Sequence, residues 1–205
     1  MSDETGDHYF TARPASAGER RTLRVRIAGV ERDLETAGGV FSPGRLDLGT
    51  EVLLRTLDAP PPGDLLDLGC GWGPVALTMA TLTPGATVWA VDVNERALDL
   101  VRRNAEILGL SNVRACLPED VPQDVRLAEI WSNPPIRVGK GVLHEMMDAW
   151  LPRLVPGAAA YLVVQRNLGA DSLLRWLAER FPEDTVTKAA SAKGFRVLEV
   201  RAGVR

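Results

Sequence analysis

Residues 64–73 read DLLDLGCGWG, an apolar run of Leu65, Leu66 and Leu68 that holds one acid, Asp67, and then opens into glycines at 69, 71 and 73. A run this short and this apolar reads as a strand buried on both faces, and the glycines let the backbone turn tightly into the next element. That element, GPVALTMATLT at 73–83, has the composition of a helix. A strand, a glycine turn and a helix in that order open a parallel α/β sheet.

The alternation continues downstream. ATVWAVD (86–92), NVRACL (112–117) and LAEIWSN (127–133) read as strands, and NERALDLVRRNAEILG (94–109) as an amphipathic helix with Leu98, Val101, Ala105 and Leu108 on one face. Two further helical stretches, 141–155 and 171–181, flank the strand AAAYLVVQR (158–166), and a strand pair near 184–190 and 194–202 closes the series. Repeated βα units predict a doubly wound sheet with helices on both faces. Upstream, TLRVRIAGVERDLET (22–36) alternates apolar and polar residues about Ala28-Gly29, which predicts a β-hairpin, and Leu48, Val52, Leu53 and Leu57 form a helical stripe. The proline run DAPPPGD (58–64) separates an N-terminal attachment, residues 1–58, from a main domain, residues 59–205.

At 205 residues, with 45% hydrophobic and 25% charged, the chain is suited to one substantial folded core. It has no apolar run of membrane-spanning length and begins with polar, acidic residues, so a cytoplasmic location without membrane attachment is expected. Cys70 and Cys116 stand far apart with no metal-ligand spacing, so neither a disulfide framework nor a metal site is expected. The net charge of −3 argues against a broad positive surface, but six arginines between 13 and 32 face only two glutamates there. Taken alone such a run reads first as a solvated hairpin face; as the alternative, the arginine-bearing hairpin is the expected contact for a polyanion.

Glycines 69, 71 and 73 have the spacing GxGxG, not the GxGxxG of a dinucleotide site. With Asp67 before it, this tighter loop suits a ligand carrying positive charge. Asp92 ends the next strand, where a carboxylate can accept both hydroxyls of a ribose, and together these features point to a nucleoside cofactor. The fourth strand stops at Ser132-Asn133-Pro134-Pro135-Ile136. Two prolines keep that turn rigid, and the Asn133 side-chain oxygen and the Pro134 carbonyl can accept the two N–H bonds of a planar exocyclic amine.

These residues resemble two motifs of class I S-adenosylmethionine-dependent methyltransferases: the glycine loop with its strand-terminal acid, and the (D/N/S)PP(Y/F/W) turn of enzymes that methylate planar nitrogens. Ile136 departs from the second motif, standing where an aromatic would stack on the target ring. HYF (8–10), GVFSPGRLDLGTEVLL (39–54), SNPPIRVGK (132–140) and AKGFRVLEV (192–200) are similar to the small-domain enzymes related to ribosomal RNA small-subunit guanine-N2 methyltransferases. A second departure is Ala128, where that family usually has Asp.

The resemblance implies a seven-stranded, mostly parallel Rossmann-like sheet with an antiparallel C-terminal strand and the N-terminal β-hairpin attachment. It implies one catalytic domain without the degenerate N-terminal copy of longer relatives. S-adenosyl-L-methionine is the implied cofactor, held by Asp67, Gly69, Cys70, Gly71, Gly73, Asp92 and Val93, with Asp120 preferred over Glu119 for the adenine amine. Phe41 reads equally as core or, with Ser42, as the mouth of the site, and Trp72 as a shield over the cofactor. The catalytic turn is Asn133, Pro134, Pro135 and Ile136; Arg137, Lys140 and Arg166 are the expected contacts to substrate phosphates. His144 reads as a packing or surface residue, Met146, Met147, Trp150 and Trp176 as core, and His8 carries no assigned chemistry.

The implied reaction is direct in-line methyl transfer to the N2 amine of a guanine, with ribosomal RNA or a ribosomal subunit as partner. Oligomeric state stays open, leaning to a monomer. Methylation of a protein glutamine or a small heteroaromatic amine is the alternative chemistry, and a non-catalytic cofactor-binding ribosome-assembly factor the alternative from another class. Nicotinamide oxidoreduction fits worst, because the glycine spacing is wrong.

Overall fold

A computed structural model describes residues 13–204. The segment 8–10, with His8, and the side chain of Arg137 lie outside the described residues.

The strands β1 (Arg20–Ile27) and β2 (Val30–Ala37) pair antiparallel through Ala28 and Gly29, whose φ values of 46° and 82° make a turn with both central residues left-handed. Such a turn matches the twist of the strands it joins. One hairpin face is apolar: Val25, Ile27 and Leu34 pack with Trp72, Leu77 and Leu100. The other face corrects the charge expectation. Arg24 lies opposite Asp33 and pairs with it at 2.8 Å, Arg26 faces Glu31, and Arg20 reaches Glu35 at 3.1 Å. Antiparallel register thus sets acids against the arginines, and a count ending at Arg32 misses Asp33 and Glu35. On this face the arginines form a ladder of ion pairs, whereas Arg21 and Arg32 lie opposite Thr36 and Val25 and face no acid in the register.

The main sheet has the order β5-β4-β3-β6-β7-β9-β8, built from β3 (Asp64–Leu68), β4 (Thr87–Val91), β5 (Val113–Cys116), β6 (Leu127–Ser132), β7 (Leu154–Gln165), β8 (Thr185–Ala192) and β9 (Phe195–Arg201). Strands β5, β4, β3, β6 and β7 run parallel, and β9 runs antiparallel between β7 and β8.

Strand alternation divides the core into two layers. Leu65 points into a cluster with Val52 and Leu53 of α1 (Leu48–Thr56), Met79 of α2 (Pro74–Leu82) and Leu98 of α3 (Glu95–Leu108). Leu66 and Leu68 enter the other cluster, with Leu143 and Met147 of α4 (Lys140–Trp150) and Leu173 and Leu177 of α5 (Ala170–Arg180). The helix α1 precedes the proline run in sequence, yet it packs in the same layer as α2 and α3. His144 stacks on Trp176 at 3.7 Å between ring centroids, Met147 and Trp150 are buried, and Met146 and Trp176 pack at the core margin. No helix among the described residues is long and apolar enough to cross a membrane.

Asn104, fully buried on α3, joins the hairpin to the glycine turn. Its Oδ1 accepts from the Glu35 N–H at 2.7 Å, and its Nδ2 donates to the carbonyls of Glu35 at 2.9 Å and Trp72 at 3.1 Å. Arg96, on the same helix, donates to the carbonyls of Arg13 and Gly38 and pairs with Glu19. The change Asn104→Ala strands buried partners on both sides of this joint. It is expected to lower stability by about 1–3 kcal/mol, measured as the urea unfolding free energy.

Candidate functional site

The chain runs from β3 to β4 and β5 on one side and then crosses to β6 on the other, so the carboxyl ends of β3, β4 and β6 border one crevice. Gly69, Gly71 and Gly73 leave β3 with φ of 79°, 53° and 99°, a region where a Cβ is strained. At Gly73 a Cβ would also come within 3.0 Å of Val101 Cγ2, so this glycine serves close packing on α3 as well. The loop is pinned to β4 through Gly69 N–H and Cys70 N–H, both donating to the Val91 carbonyl.

Two acids lie beneath this loop. Asp67, 1% exposed, accepts from the Ala76 N–H at 2.9 Å in the first turn of α2. Burial pushes its carboxyl up to about 8; the Ala76 N–H opposes the rise and the charge on Asp92 adds to it. Asp92 accepts from the Gly71 N–H at 2.9 Å and the Asn94 N–H at 2.9 Å, and burial raises its carboxyl against those donors. Burial also raises the Cys70 thiol. A buried acid on a cavity wall under a glycine turn fits a ligand with a cationic group, and a second acid at the next strand end fits a polyol.

The cavity gathers Phe41, Asp67, Gly69, Cys70, Gly71 and Asn133 from the expected site, with Ser42, Asp47 and Thr50 beside them. Phe41 is 48% exposed at its rim, so it is not core. Trp72 contributes to the wall, but at 2% exposed it packs in the hairpin cluster, where it anchors the loop instead of covering a ligand. Asp92 adjoins the cavity through Gly71, and Val93 is exposed. Asp120 is exposed in the turn Pro118–Asp120 after β5 and is not among the residues that line this cavity. Lys140 and Arg166 are exposed, at the start of α4 and just after β7.

At the end of β6, Ser132 Oγ donates to the Leu68 carbonyl at 2.6 Å and locks the two strand ends together. Asn133 Nδ2 then donates to Asp47 Oδ2 at 2.8 Å and to Thr50 Oγ1 at 3.0 Å. The Pro134 carbonyl, expected as an acceptor for an amine, already has a partner within the chain. The Pro134 carbonyl accepts from the Ile136 N–H at 2.8 Å, because φ −75° and ψ 74° at Pro135 close a three-residue turn there. One lone pair of that oxygen is used by this bond. Ile136 packs at the margin of the α4 and α5 cluster.

Asp47 and Thr50 lie within the stretch 39–54 that carries the family resemblance, but neither the resemblance nor the residues read there give them a role at the site. The run LDLGTE does carry a helix N-cap signal, and Asp47 caps α1 by accepting from Gly49 N–H and Thr50 N–H. Nothing local signals its bond to a residue 86 positions away. Among the described residues no cluster of three His, Cys, Asp or Glu is arranged to hold a metal.

Residues 31–199 match the model of the methyltransferase small domain family. A Bacillus subtilis protein, YbxB, described as uncharacterized, is 32% identical over 199 residues, covering 95% of this chain and 98% of the relative. Ribosomal RNA small subunit methyltransferase C of Stutzerimonas stutzeri is 31% identical over 188 residues, 89% of this chain and 55% of the relative. Among solved structures, a Thermus thermophilus 16S rRNA N2 methyltransferase in complex with AdoMet and guanosine superposes with a TM-score of 0.78 at 26% identity, over 92% of this chain and 52% of that one. The chain therefore spans about half the length of these two ribosomal RNA methyltransferases, and nearly all of YbxB.

The folded protein keeps a proton on Asp67 up to about pH 8, whereas the unfolded chain releases it near the ordinary value of 3.8. The native state therefore binds more protons across that window, and stability falls as pH rises through it, with a slope approaching ~1.4 kcal/mol per pH unit. Asp67→Asn is expected to flatten the profile of unfolding free energy between pH 5 and pH 8 in the ligand-free protein. Equal slopes for variant and wild type would contradict this account of Asp67.

Proposed function

The chain belongs to the methyltransferase small domain family, and we propose that this S-adenosylmethionine-dependent methyltransferase places its methyl group on the N2 amine of a guanine in small-subunit ribosomal RNA. The observation that carries the reading is Asn133, whose amide stands in the same cavity as the glycine loop with its NH2 end already bonded to the protein. Its oxygen is then available to accept an N–H from an exocyclic amine.

Asp67 would take the cationic amino group of the cofactor, the backbone at Gly69 and Gly71 would lie against its amino-acid part, and Asp92 would accept its ribose hydroxyls. The cofactor supplies an electrophilic methyl group on a sulfonium. The chain's own residues orient the acceptor. Asn133 Oδ1 and the remaining lone pair of Pro134 O draw on the amine hydrogens, which favours a pyramidal nitrogen with its lone pair released from the ring. Alignment of this kind is worth on the order of 7–11 kcal/mol, so no strong base is required before transfer. A paired guanine must leave its stack to reach Asn133, at a cost of a few kcal/mol.

Supporting an RNA acceptor, the segments that enter α1 and that leave β6 and β7 mix exposed cations, Arg45, Lys140 and Arg166, with exposed apolar side chains, Leu48, Val138 and Leu168. Such a mixture suits phosphates and unstacked bases. The hairpin's paired arginines contribute less than their number suggests.

The test incubates methyl-labelled S-adenosylmethionine with undermethylated small subunits, free ribosomal RNA and a protein extract, then analyses nucleosides. Label is expected as N2-methylguanosine. Asn133→Ala should lower transfer by about 100-fold or more while cofactor affinity stays near wild type. Label confined to protein glutamine would contradict the RNA assignment, and equal loss of transfer and cofactor affinity would contradict the role of Asn133.

A further inference from the structure

We propose that Asp47 and Thr50 are positioning residues, which fix the Asn133 amide so that only its oxygen faces the acceptor; this rests on the reading of Asn133 as the group that meets the amine. The two ends of an asparagine amide are nearly the same size and differ chiefly in hydrogen bonding. Something must therefore choose which end faces the cavity. Asp47 Oδ2 accepts from Gly49 N–H at 2.7 Å, Thr50 N–H at 3.1 Å and Asn133 Nδ2 at 2.8 Å. A carboxylate oxygen can only accept, so the NH2 end must turn toward it. The flipped amide would set Asn133 Oδ1 against Asp47 Oδ2 with no hydrogen between them.

Thr50 Oγ1 takes the second amide hydrogen at 3.0 Å. With both donors used, Oδ1 is the polar atom that Asn133 has left to offer. The cavity then selects an acceptor that donates N–H, and it disfavours a carbonyl in the same place.

The orienting pair is itself held rigidly. It sits at the start of α1, which is rooted in the core through Val52 and Leu53. A Cβ at Gly49 would come within 2.9 Å of the Phe195 ring and 3.0 Å of Asp47 Oδ2, so a glycine between Asp47 and Thr50 lets β9 press against the cap. The same carboxylate thus caps a helix and sets the polarity of the catalytic amide.

Two variants separate these duties. Asp47→Ser keeps a good N-cap but is too short to hold Asn133. Thr50→Val keeps the shape and removes the hydroxyl. The full-length protein is compared in three measurements: exchange of the Asn133 side-chain amide protons by nitrogen-edited NMR, S-adenosylmethionine affinity by calorimetry, and single-turnover methyl transfer to small-subunit ribosomal RNA. In wild type the two amide protons are expected to exchange slowly, and in both variants quickly. Transfer should fall about 10- to 100-fold with cofactor affinity held within about threefold, and Thr50→Ser should recover most of the rate lost in Thr50→Val. Unchanged amide exchange in Asp47→Ser, an unchanged transfer rate, or parallel loss of cofactor affinity would overturn the proposal. If wild type labels no RNA, the guanine reading fails, and amide exchange alone decides the orientation.

Discussion

The reversal of strand order at β3 is the constraint on which the rest of the molecule depends. Because β3 pairs with β4 on one side and β6 on the other, the connections leaving its neighbours diverge, and a crevice opens at their carboxyl ends. A strand in that position must be apolar on both faces, which is why Leu65, Leu66 and Leu68 leave room for one fully buried polar side chain, Asp67, near its end. Ser132 Oγ on the Leu68 carbonyl then fixes where β6 stops relative to β3.

Three carboxylates around the crevice are treated alike. Asp47, Asp67 and Asp92 each accept backbone N–H groups from the start of a helix or from the glycine turn. Those bonds hold the side chains in place in a partly dry site, where an unsatisfied acid would be costly. They differ in what remains. Asp67 has one backbone donor and a raised carboxyl, a state that a cationic ligand group would relieve; Asp92 is cradled by the loop and by Asn94; Asp47 spends its third bond on Asn133.

Features carried by local pattern were legible in the chain. The doubly wound alternation, the hairpin turn at Ala28-Gly29, the glycine turn and the stop at Asn133 all stem from periodicity, glycine and proline. Pairing, by contrast, required the third dimension. Hairpin register sets Asp33 opposite Arg24, and a window ending at Arg32 could not register that neutralisation. The burial of Trp72 depends on a hairpin docking over the loop, and the bond from Asn133 to Asp47 depends on α1 lying beside the end of β6. The turn at Pro135 is a matter of backbone angles: two prolines announced rigidity without revealing that one carbonyl would be occupied.

The central claim is that the Asn133 amide presents its oxygen, and not its NH2 end, to the amine beside the cofactor. A crystal structure of the complex with S-adenosylhomocysteine and guanosine tests it most directly. The account predicts the guanine exocyclic amine within about 2.7–3.2 Å of Asn133 Oδ1, with Nδ2 still on Asp47 and Thr50. A nucleoside bound with that amine turned away, or an Asn133 amide released from Asp47, would contradict it.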